Sequence, residues 1–166
     1  MRKEVNFLKA ALKDRQIGAL SRSSKYVVQG LLDKLIDESL YRVIEYGPGD
    51  GVVTKEILKR MPQSGEMIVV ETNPNFLGIL KKIKDPRLKI IEGRAEDISK
   101  LLESEHESGV DLVISSIPFS ILNPSDRENL VSKTFNMLKT TGKLIIFHQY
   151  STLMLKLLNK YFACSC

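Results

Sequence analysis

The stretch that decides the fold is Glu45-Tyr46-Gly47-Pro48-Gly49-Asp50-Gly51, which follows directly on the apolar pair Val43 and Ile44. Glycine permits a positive φ and has no Cβ, so a ligand can approach the backbone where a helix begins. Three glycines are weak evidence alone, because tight turns between a strand and a helix require glycine anyway. The stretch therefore predicts a strand, a turn and a helix, and the ligand must be inferred from other residues.

Outward from this loop, apolar strands alternate with helices. Strands are predicted at 41–46, 67–71, 88–92, 110–115 and 143–147, and helices at 52–61, 74–84, 98–105, 127–138 and 152–162. Strands that are nearly continuous in Val, Ile and Leu are typical of a parallel sheet covered on both faces. We expect one α/β domain over 1–166, in which helices over 1–40 form a lid or membrane-facing segment and 41–150 form the core.

An acid, Glu71, ends the second predicted strand, about 20 residues beyond the glycine loop, where it can accept hydrogen bonds from both hydroxyls of a ribose. A dinucleotide is disfavoured because Val52 stands where the third glycine of the dinucleotide pattern belongs. Glu45 and Asp50 would also repel a diphosphate, whereas they suit a cationic ligand that carries an ammonium and a sulfonium. S-adenosylmethionine (SAM) is such a ligand, and we expect it as the cofactor.

The net charge of +5 is concentrated at the N-terminus, because residues 1–26 carry seven basic and two acidic side chains. Apolar residues at helical spacing over 5–12 predict a short amphipathic basic helix there. Such a segment can bind an anionic membrane surface or, alternatively, RNA. The chain has no apolar run long enough to span a bilayer and no secretory signal pattern. We therefore expect a cytoplasmic protein that attaches peripherally to a membrane.

Two cysteines, Cys164 and Cys166, lie one residue apart, a spacing that suits neither a disulfide nor a metal knuckle. With only two histidines elsewhere, we expect reduced thiols and no metal site. The sequence leaves the oligomeric state open.

Four segments together resemble the class I SAM-dependent methyltransferases. Residues 43–54 resemble motif I in its E-x-G-P-G form, 69–73 resemble motif II, 92–98 motif III and 111–119 motif IV. The resemblance implies a Rossmann-like fold, with a mostly parallel sheet and helices on both faces. It also implies a SAM site in which Glu71 holds the ribose while Ala95 and Glu96 flank the adenine. The full expected set is Glu45, Gly47, Gly49, Gly51, Glu71, Thr72, Ala95, Glu96 and Ser115.

The acceptor is inferred from motif IV and the two ends of the chain. Ser115-Ser116-Ile117-Pro118 resembles the Ser-Gly-Leu-Pro motif of bacterial-type phospholipid N-methyltransferases, and residues 18–24 and 147–150 fit their other signatures. This resemblance implies N-methylation of an aminophospholipid such as phosphatidylethanolamine. The ribosomal RNA adenine dimethylases are the alternative, although Ser116 replaces the asparagine of their Asn-Leu-Pro-Tyr motif.

Methyl transfer to a neutral amine requires positioning and a route for the proton more than a strong base. The backbone at Ser116 and the hydroxyl of Tyr150 are candidates for orienting the amine, and His148 for accepting its proton. Phe119 is a candidate for contact with the acceptor, and Tyr26 for lining the pocket.

Class I methyltransferases continue with two strands after the fifth, and we expect these C-terminal strands to be missing. A sheet without them would leave part of the acceptor pocket open. A third hypothesis therefore remains beside the phospholipid and ribosomal RNA methyltransferases, namely a SAM-binding module without catalysis.

Overall fold

The computed structural model describes residues 3–7, 30, 32–33, 40–102, 109–117, 119, 122–146 and 152–165. The strands within these ranges are β1 Lys3–Phe7, β2 Arg42–Tyr46, β3 Glu66–Glu71, β4 Leu88–Glu92, β5 Val110–Ser115, β6 Leu138–Ile146 and β7 Phe162–Ser165. The helices are α1 Val52–Leu58, α2 Pro74–Leu80, α3 Ile98–Leu101, α4 Pro124–Met137 and α5 Thr152–Tyr161, with a 3-10 turn at Ala95–Asp97.

These strands form one sheet in the order β4-β3-β2-β5-β6-β1-β7, and every neighbouring pair for which the register is described is parallel. Helices cover both faces, so the Rossmann-like α/β fold class is confirmed. The five predicted strands and the helices between them are present; β4 and β5 have the predicted bounds, and the other elements differ at one or both ends. The start of α2 follows its predicted chemistry, because Asn73 caps it by accepting the N–H of Asn75 at 3.0 Å and Pro74 occupies the first turn.

The N-terminal prediction needs correction, because residues 3–7 form a strand and not the start of a helix. The spacing of Val5, Leu8 and Ala11 predicts a helix, but Val5 and Phe7 also alternate with polar neighbours at the period of a strand. Backbone pairing of β1 with β6 on one side and β7 on the other decides between the two periods. The remainder of the predicted N-terminal helices lies outside the described residues, except that 30, 32 and 33 are helical.

The prediction that the sheet lacks its C-terminal strands also needs correction. The chain continues from α5 into β7, and β1 fills the position between β7 and β6. Sequence reasoning missed β7 because Phe162-Ala163-Cys164-Ser165 has no β-branched residue and no polar–apolar alternation. Both added strands lie at the edge of the sheet farthest from β4.

Side chains of each central strand alternate between two hydrophobic layers. In β2, Val43 packs toward α1 with Leu112 and Ile114 of β5, whereas Ile44 and Tyr46 pack toward α4 and α5. The hydroxyl of Tyr46 lies 3.1 Å from Thr134 Oγ1 of α4. This alternation directs Glu45 to the α1 side of the sheet. Within the described part of the chain, no helix is long and apolar enough to cross a membrane.

Candidate cofactor site

The site begins with the glycine loop between β2 and α1, where Gly47, Gly49 and Gly51 all have positive φ values of 68°, 57° and 76°. A Cβ at Gly47 would lie 2.6 Å from Ile117 Cγ2, and one at Gly51 would lie 2.9 Å from Leu80 Cδ2. By contrast, a Cβ at Gly49 would meet nothing within 4 Å. Packing therefore requires two of the glycines, while Gly49 leaves the backbone open to a ligand.

Glu71, at the carboxyl end of β3, faces this open backbone. Its Oε2 accepts the N–H of Gly49 at 3.1 Å, and its Oε1 accepts the N–H groups of Thr72 and Asn73, each at 2.9 Å. Three backbone N–H groups hold the carboxylate, and the residue is only 7% exposed. A carboxylate has about four acceptor positions and three are used here, so it can accept one ribose hydroxyl directly and a second only in place of a backbone donor. The arrangement suits the ribose role that the sequence predicts.

Glu45 has a different environment on the neighbouring strand. It is fully buried, its Oε2 accepts the hydroxyl of Thr54 at 2.6 Å, and its Oε1 has no hydrogen-bond partner among the described residues. Burial raises the pKa of Glu45 to about 7, the Thr54 bond opposes this shift, and the nearby carboxyls of Glu71 and Asp50 add to it. A cationic ligand group beside the free oxygen would compensate for this burial.

The loops at the carboxyl ends of the strands enclose a cleft of about 230 Å³. Its lining residues are Gly47, Val70, Glu71, Thr72, Gly93, Arg94, Ala95, Glu96, Ile117 and Leu122. The cleft therefore brings together residues from the predicted motifs I, II and III, together with Ile117 from motif IV. The cleft lies at the carboxyl edge of the parallel sheet, which is where proteins of this fold bind their ligands.

Helix α4 holds the far side of the cleft through contacts that the sequence did not reveal. Lys133 Nζ and Asn129 Nδ2 both donate to the backbone oxygen of Glu96, at 3.0 and 3.5 Å. Arg94 pairs with the carboxylate of Glu96 and lies 3.6 Å from that of Asp126. The 3-10 turn that carries Ala95 and Glu96 is thus fastened to α4.

The same helix also fastens the segment after β5. Arg127 donates from Nε to the backbone oxygen of Phe119 at 3.0 Å and from Nη2 to that of Leu122 at 2.7 Å. One helix therefore positions two separate parts of the cleft. No sequence signal could have found these contacts, because they join residues whose neighbourhood depends on the fold.

Several predicted residues lie at the cleft or beside it. Thr72 is exposed at its rim, and Ala95 and Glu96 are 6% and 7% exposed in the 3-10 turn. Ser116 is half-buried, and its N–H donates to the backbone oxygen of Tyr46 at 2.9 Å. Ser115 is fully buried, and its Oγ has no partner among the described residues.

The predicted acceptor contacts are placed less favourably. Phe119 packs into the core on the α4 side and is 2% exposed, so its ring has no open face for an acceptor in this structure. His148, Tyr150 and Tyr26 lie outside the described residues. Across the described ranges, no group of three or more His, Cys, Asp or Glu side chains could hold a metal ion.

The residues present fit SAM on structural grounds. The open backbone at Gly49 admits a ligand, the fixed carboxylate of Glu71 suits the ribose hydroxyls, and the unpartnered oxygen of Glu45 suits an ammonium. Glu45 near the end of β2 and Glu71 at the end of β3 lie on adjacent strands, and Gly49 lies in the loop after β2; of the three, Glu71 lines the cleft.

Comparisons with known proteins agree with this assignment. A family profile described as "Methyltransferase domain" matches residues 43–142. Ornithine lipid N-methyltransferase of Singulisphaera acidiphila is 26% identical over 125 residues, which cover 74% of this chain and 63% of that protein. Ribosomal RNA small subunit methyltransferase A of Mycoplasma mycoides is 31% identical over 97 residues, which cover 57% of this chain and 35% of that protein. The chain thus spans less than two thirds of either relative.

Solved structures show the same fold. Fibrillarin of Aeropyrum pernix, in complex with natively bound SAM, gives a TM-score of 0.64 at 16% identity, covering 84% of this chain and 64% of that chain. A SAM-dependent O-methyltransferase of Thermotoga maritima gives 0.59 at 19% identity, covering 90% and 52%. Because the family profile covers more than half of the sequence, the chain belongs to the methyltransferase domain family, and the residues of its site fit SAM.

Proposed function

We propose that this chain transfers the methyl group of SAM to the amine of a lipid headgroup, with phosphatidylethanolamine as the first acceptor to test. The observation that carries methyl transfer is the carboxylate of Glu71, fixed 3.1 Å from the N of Gly49 at an otherwise open backbone. The lipid acceptor is supported by the resemblance of residues 115–118 to the phospholipid enzymes and by the similarity to an ornithine lipid N-methyltransferase.

When bound, SAM supplies a methyl group on a sulfonium, and the electron pair of the broken carbon–sulfur bond leaves with the sulfur. The chain's own residues would hold the two reactants. Glu71 would hold the ribose and Glu45 the ammonium, and Ser116, half-buried just after β5 and next to the cleft residue Ile117, is the candidate for orienting the acceptor nitrogen. The nitrogen forms the new bond with its lone pair and then releases a proton, for which His148 stays the candidate acceptor and Tyr150 the candidate orienting group.

Methylation of ribosomal RNA adenine is the second candidate. The observation in its favour is the higher identity, 31% over 97 residues, with a ribosomal RNA methyltransferase. Two features weigh against it. Ser116 lacks the amide that would hold an adenine, and Phe119 is buried in the core instead of presenting a ring for stacking.

The decisive experiment measures transfer of labelled methyl groups from SAM by the full chain to three acceptors in parallel. These are phosphatidylethanolamine vesicles, ornithine lipid vesicles and unmethylated small-subunit ribosomal RNA. We expect label in lipid, and its loss in Glu71→Ala shows that it depends on the cofactor site. Label in RNA alone would overturn the lipid acceptor. SAM binding without label in any acceptor would favour a binding module without catalysis.

A further inference from the structure

A second concave surface lies on the α1 side of the sheet, and its lining shares no residue with that of the cofactor cleft. It is a groove of about 470 Å³ between α1 and the segment that follows α2. The groove is lined by Val52, Lys55, Glu56, Leu58, Lys59, Ile83, Lys84, Asp85 and Arg87. Val52 directly follows Gly51, so one end of the groove adjoins the glycine loop.

The acidic side chains of this groove are already neutralised within the protein. Glu56 binds Lys59 at 2.8 Å and Arg60 at 3.0 Å, and Asp85 binds Arg87 at 2.6 Å. Glu56 is buried and Asp85 is half-buried, so neither presents a free negative charge to a partner. The field at the groove is therefore set by its remaining cations.

Four exposed lysines in or next to this groove have no carboxylate partner among the described residues. Lys55 on α1 and Lys84 after α2 line the groove, and Lys81 and Lys82 lie three and two positions before Lys84 in the chain. Basic side chains elsewhere, such as Lys100, Lys139 and Lys160, pair with acids instead. The sequence after residue 26 is neutral overall, but folding pairs its charges unevenly and leaves a basic surface here.

The chemistry of this surface suits lipid headgroups better than nucleic acid. Arg87, the arginine that lines the groove, donates hydrogen bonds from its guanidinium to Asp85 and to the backbone oxygens of Met61 and Leu58, so these donors are already occupied. None of the lining residues is aromatic, so no ring is available for stacking on a base. Ile79, one of two exposed large hydrophobic residues in the described chain, precedes the lysines and is 38% exposed. Exposed apolar and lysine side chains together are typical of surfaces that bind a bilayer interface.

We infer that Lys55, Lys81, Lys82 and Lys84, the lysine surface, dock this domain on the headgroups of an anionic bilayer. This surface is distinct from the basic residues 1–26, for which membrane contact stays a prediction. The inference rests on the proposed function only in that the acceptor would lie in the same bilayer. Docking beside the glycine loop would keep the cofactor cleft close to the membrane surface.

The test compares two double variants of the full chain that lose the same charge. Lys81→Gln with Lys84→Gln removes half of the lysine surface, whereas Lys100→Gln with Lys160→Gln removes two exposed lysines elsewhere that are paired with acids. Co-sedimentation is measured with phosphatidylcholine vesicles that contain phosphatidylglycerol. Each lysine near an anionic surface contributes about fivefold to partitioning. We expect the first variant to bind about tenfold or more weakly and the control to change by about twofold or less, as measured at low salt.

Equal losses in the two variants, or equal binding to purely neutral vesicles, would overturn the inference. Binding of single-stranded RNA that depends on the same lysines, without vesicle binding, would overturn it in favour of nucleic acid. Circular dichroism confirms that both variants fold. The proposed function is tested separately with phosphatidylethanolamine in detergent micelles, where the lysine variant should keep full methyl transfer. Absence of methyl transfer with intact vesicle binding would contradict the function and leave the docking surface standing.

Discussion

The two walls of the cofactor cleft differ in how they are held. The loop wall, formed by Glu45, 47–51 and Glu71, is held by side-chain hydrogen bonds whose partners lie at most 22 positions apart. The braced wall, formed by Arg94, Ala95, Glu96, Ile117 and Leu122, depends on long side chains of α4, such as that of Lys133, which reaches 37 positions back to Glu96. One wall is held by hydrogen bonds between near neighbours in the chain, and the other by long side chains that reach it from α4.

The largest effect is expected where the two walls touch, at Gly47. Gly47→Ala places a Cβ 2.6 Å from Ile117 Cγ2 of the braced wall and forces alanine to adopt a φ of 68°. The left-handed conformation costs about 1–2 kcal/mol and the overpacking about 1–3 kcal/mol, so we expect a loss of about 3 kcal/mol in the free energy of unfolding. Urea denaturation monitored by circular dichroism measures it.

Gly49→Ala is the matched control for this change. Its φ is also positive, but the new Cβ meets nothing within 4 Å, so only the conformational cost of about 1–2 kcal/mol applies. The control should instead weaken SAM binding, because the methyl group fills the open space in front of the backbone. If the two variants were equally destabilised, the walls would not be in the contact described.

The second prediction concerns the pH dependence of the free energy of unfolding that arises from Glu45 of the loop wall. The pKa of its carboxyl rises from 4.5 to about 7 on folding, so the folded state retains a proton that the unfolded chain releases. Stability from this group is therefore greatest below pH 4.5 and falls as pH rises toward 7. Between pH 5 and pH 8 the loss amounts to roughly 2–3 kcal/mol.

Glu45→Gln removes this titration and isolates its contribution. Its free energy of unfolding should decrease by roughly 2–3 kcal/mol less than that of the wild type over the same pH interval. Denaturant unfolding at several pH values, without SAM, provides the measurement. Parallel pH profiles for the two proteins would show that Glu45 is ionised in the fold and already has a cationic partner.

The third prediction concerns Glu71, the best-fixed group of the loop wall. Glu71→Ala removes the acceptor for the ribose hydroxyls and leaves three backbone donors without their carboxylate. We expect the Kd for SAM to rise more than tenfold, as measured by isothermal titration calorimetry, which corresponds to about 1.4 kcal/mol or more. An unchanged Kd would assign the ribose to another residue.

The division between the walls also explains what could be predicted from the sequence. The sequence predicts roles for Glu45, Gly49 and Glu71 because these roles depend on near neighbours in the chain and on the end of a strand. The braces from Lys133 and Arg127 were not, since nothing in an amphipathic helix shows which of its cations will reach a carbonyl on another loop. β1 was mistaken for a helix for a similar reason, because pairing with β6 and β7 overrides its local pattern.

The smallest effect is expected in the braced wall, at Lys133. Lys133→Met keeps the aliphatic stem on α4 and removes the donor to the backbone oxygen of Glu96, 3.0 Å away. Asn129 and the Arg94–Asp126 pair still hold the turn, so we expect the Kd for SAM to rise only about threefold, or roughly 0.6 kcal/mol. Isothermal titration calorimetry measures this threefold change in Kd by comparison with a control variant.

Lys160→Met is that control, because Lys160 is a lysine of the adjacent helix α5 whose partner Glu128 lies on α4 but not in the cleft. Its ion pair is exposed, and such pairs contribute little to stability. The Kd for SAM should therefore stay within experimental error. A tenfold rise for Lys133→Met would mean that a single brace fixes the second wall as firmly as backbone amides fix the first, and the contrast between the walls would be lost.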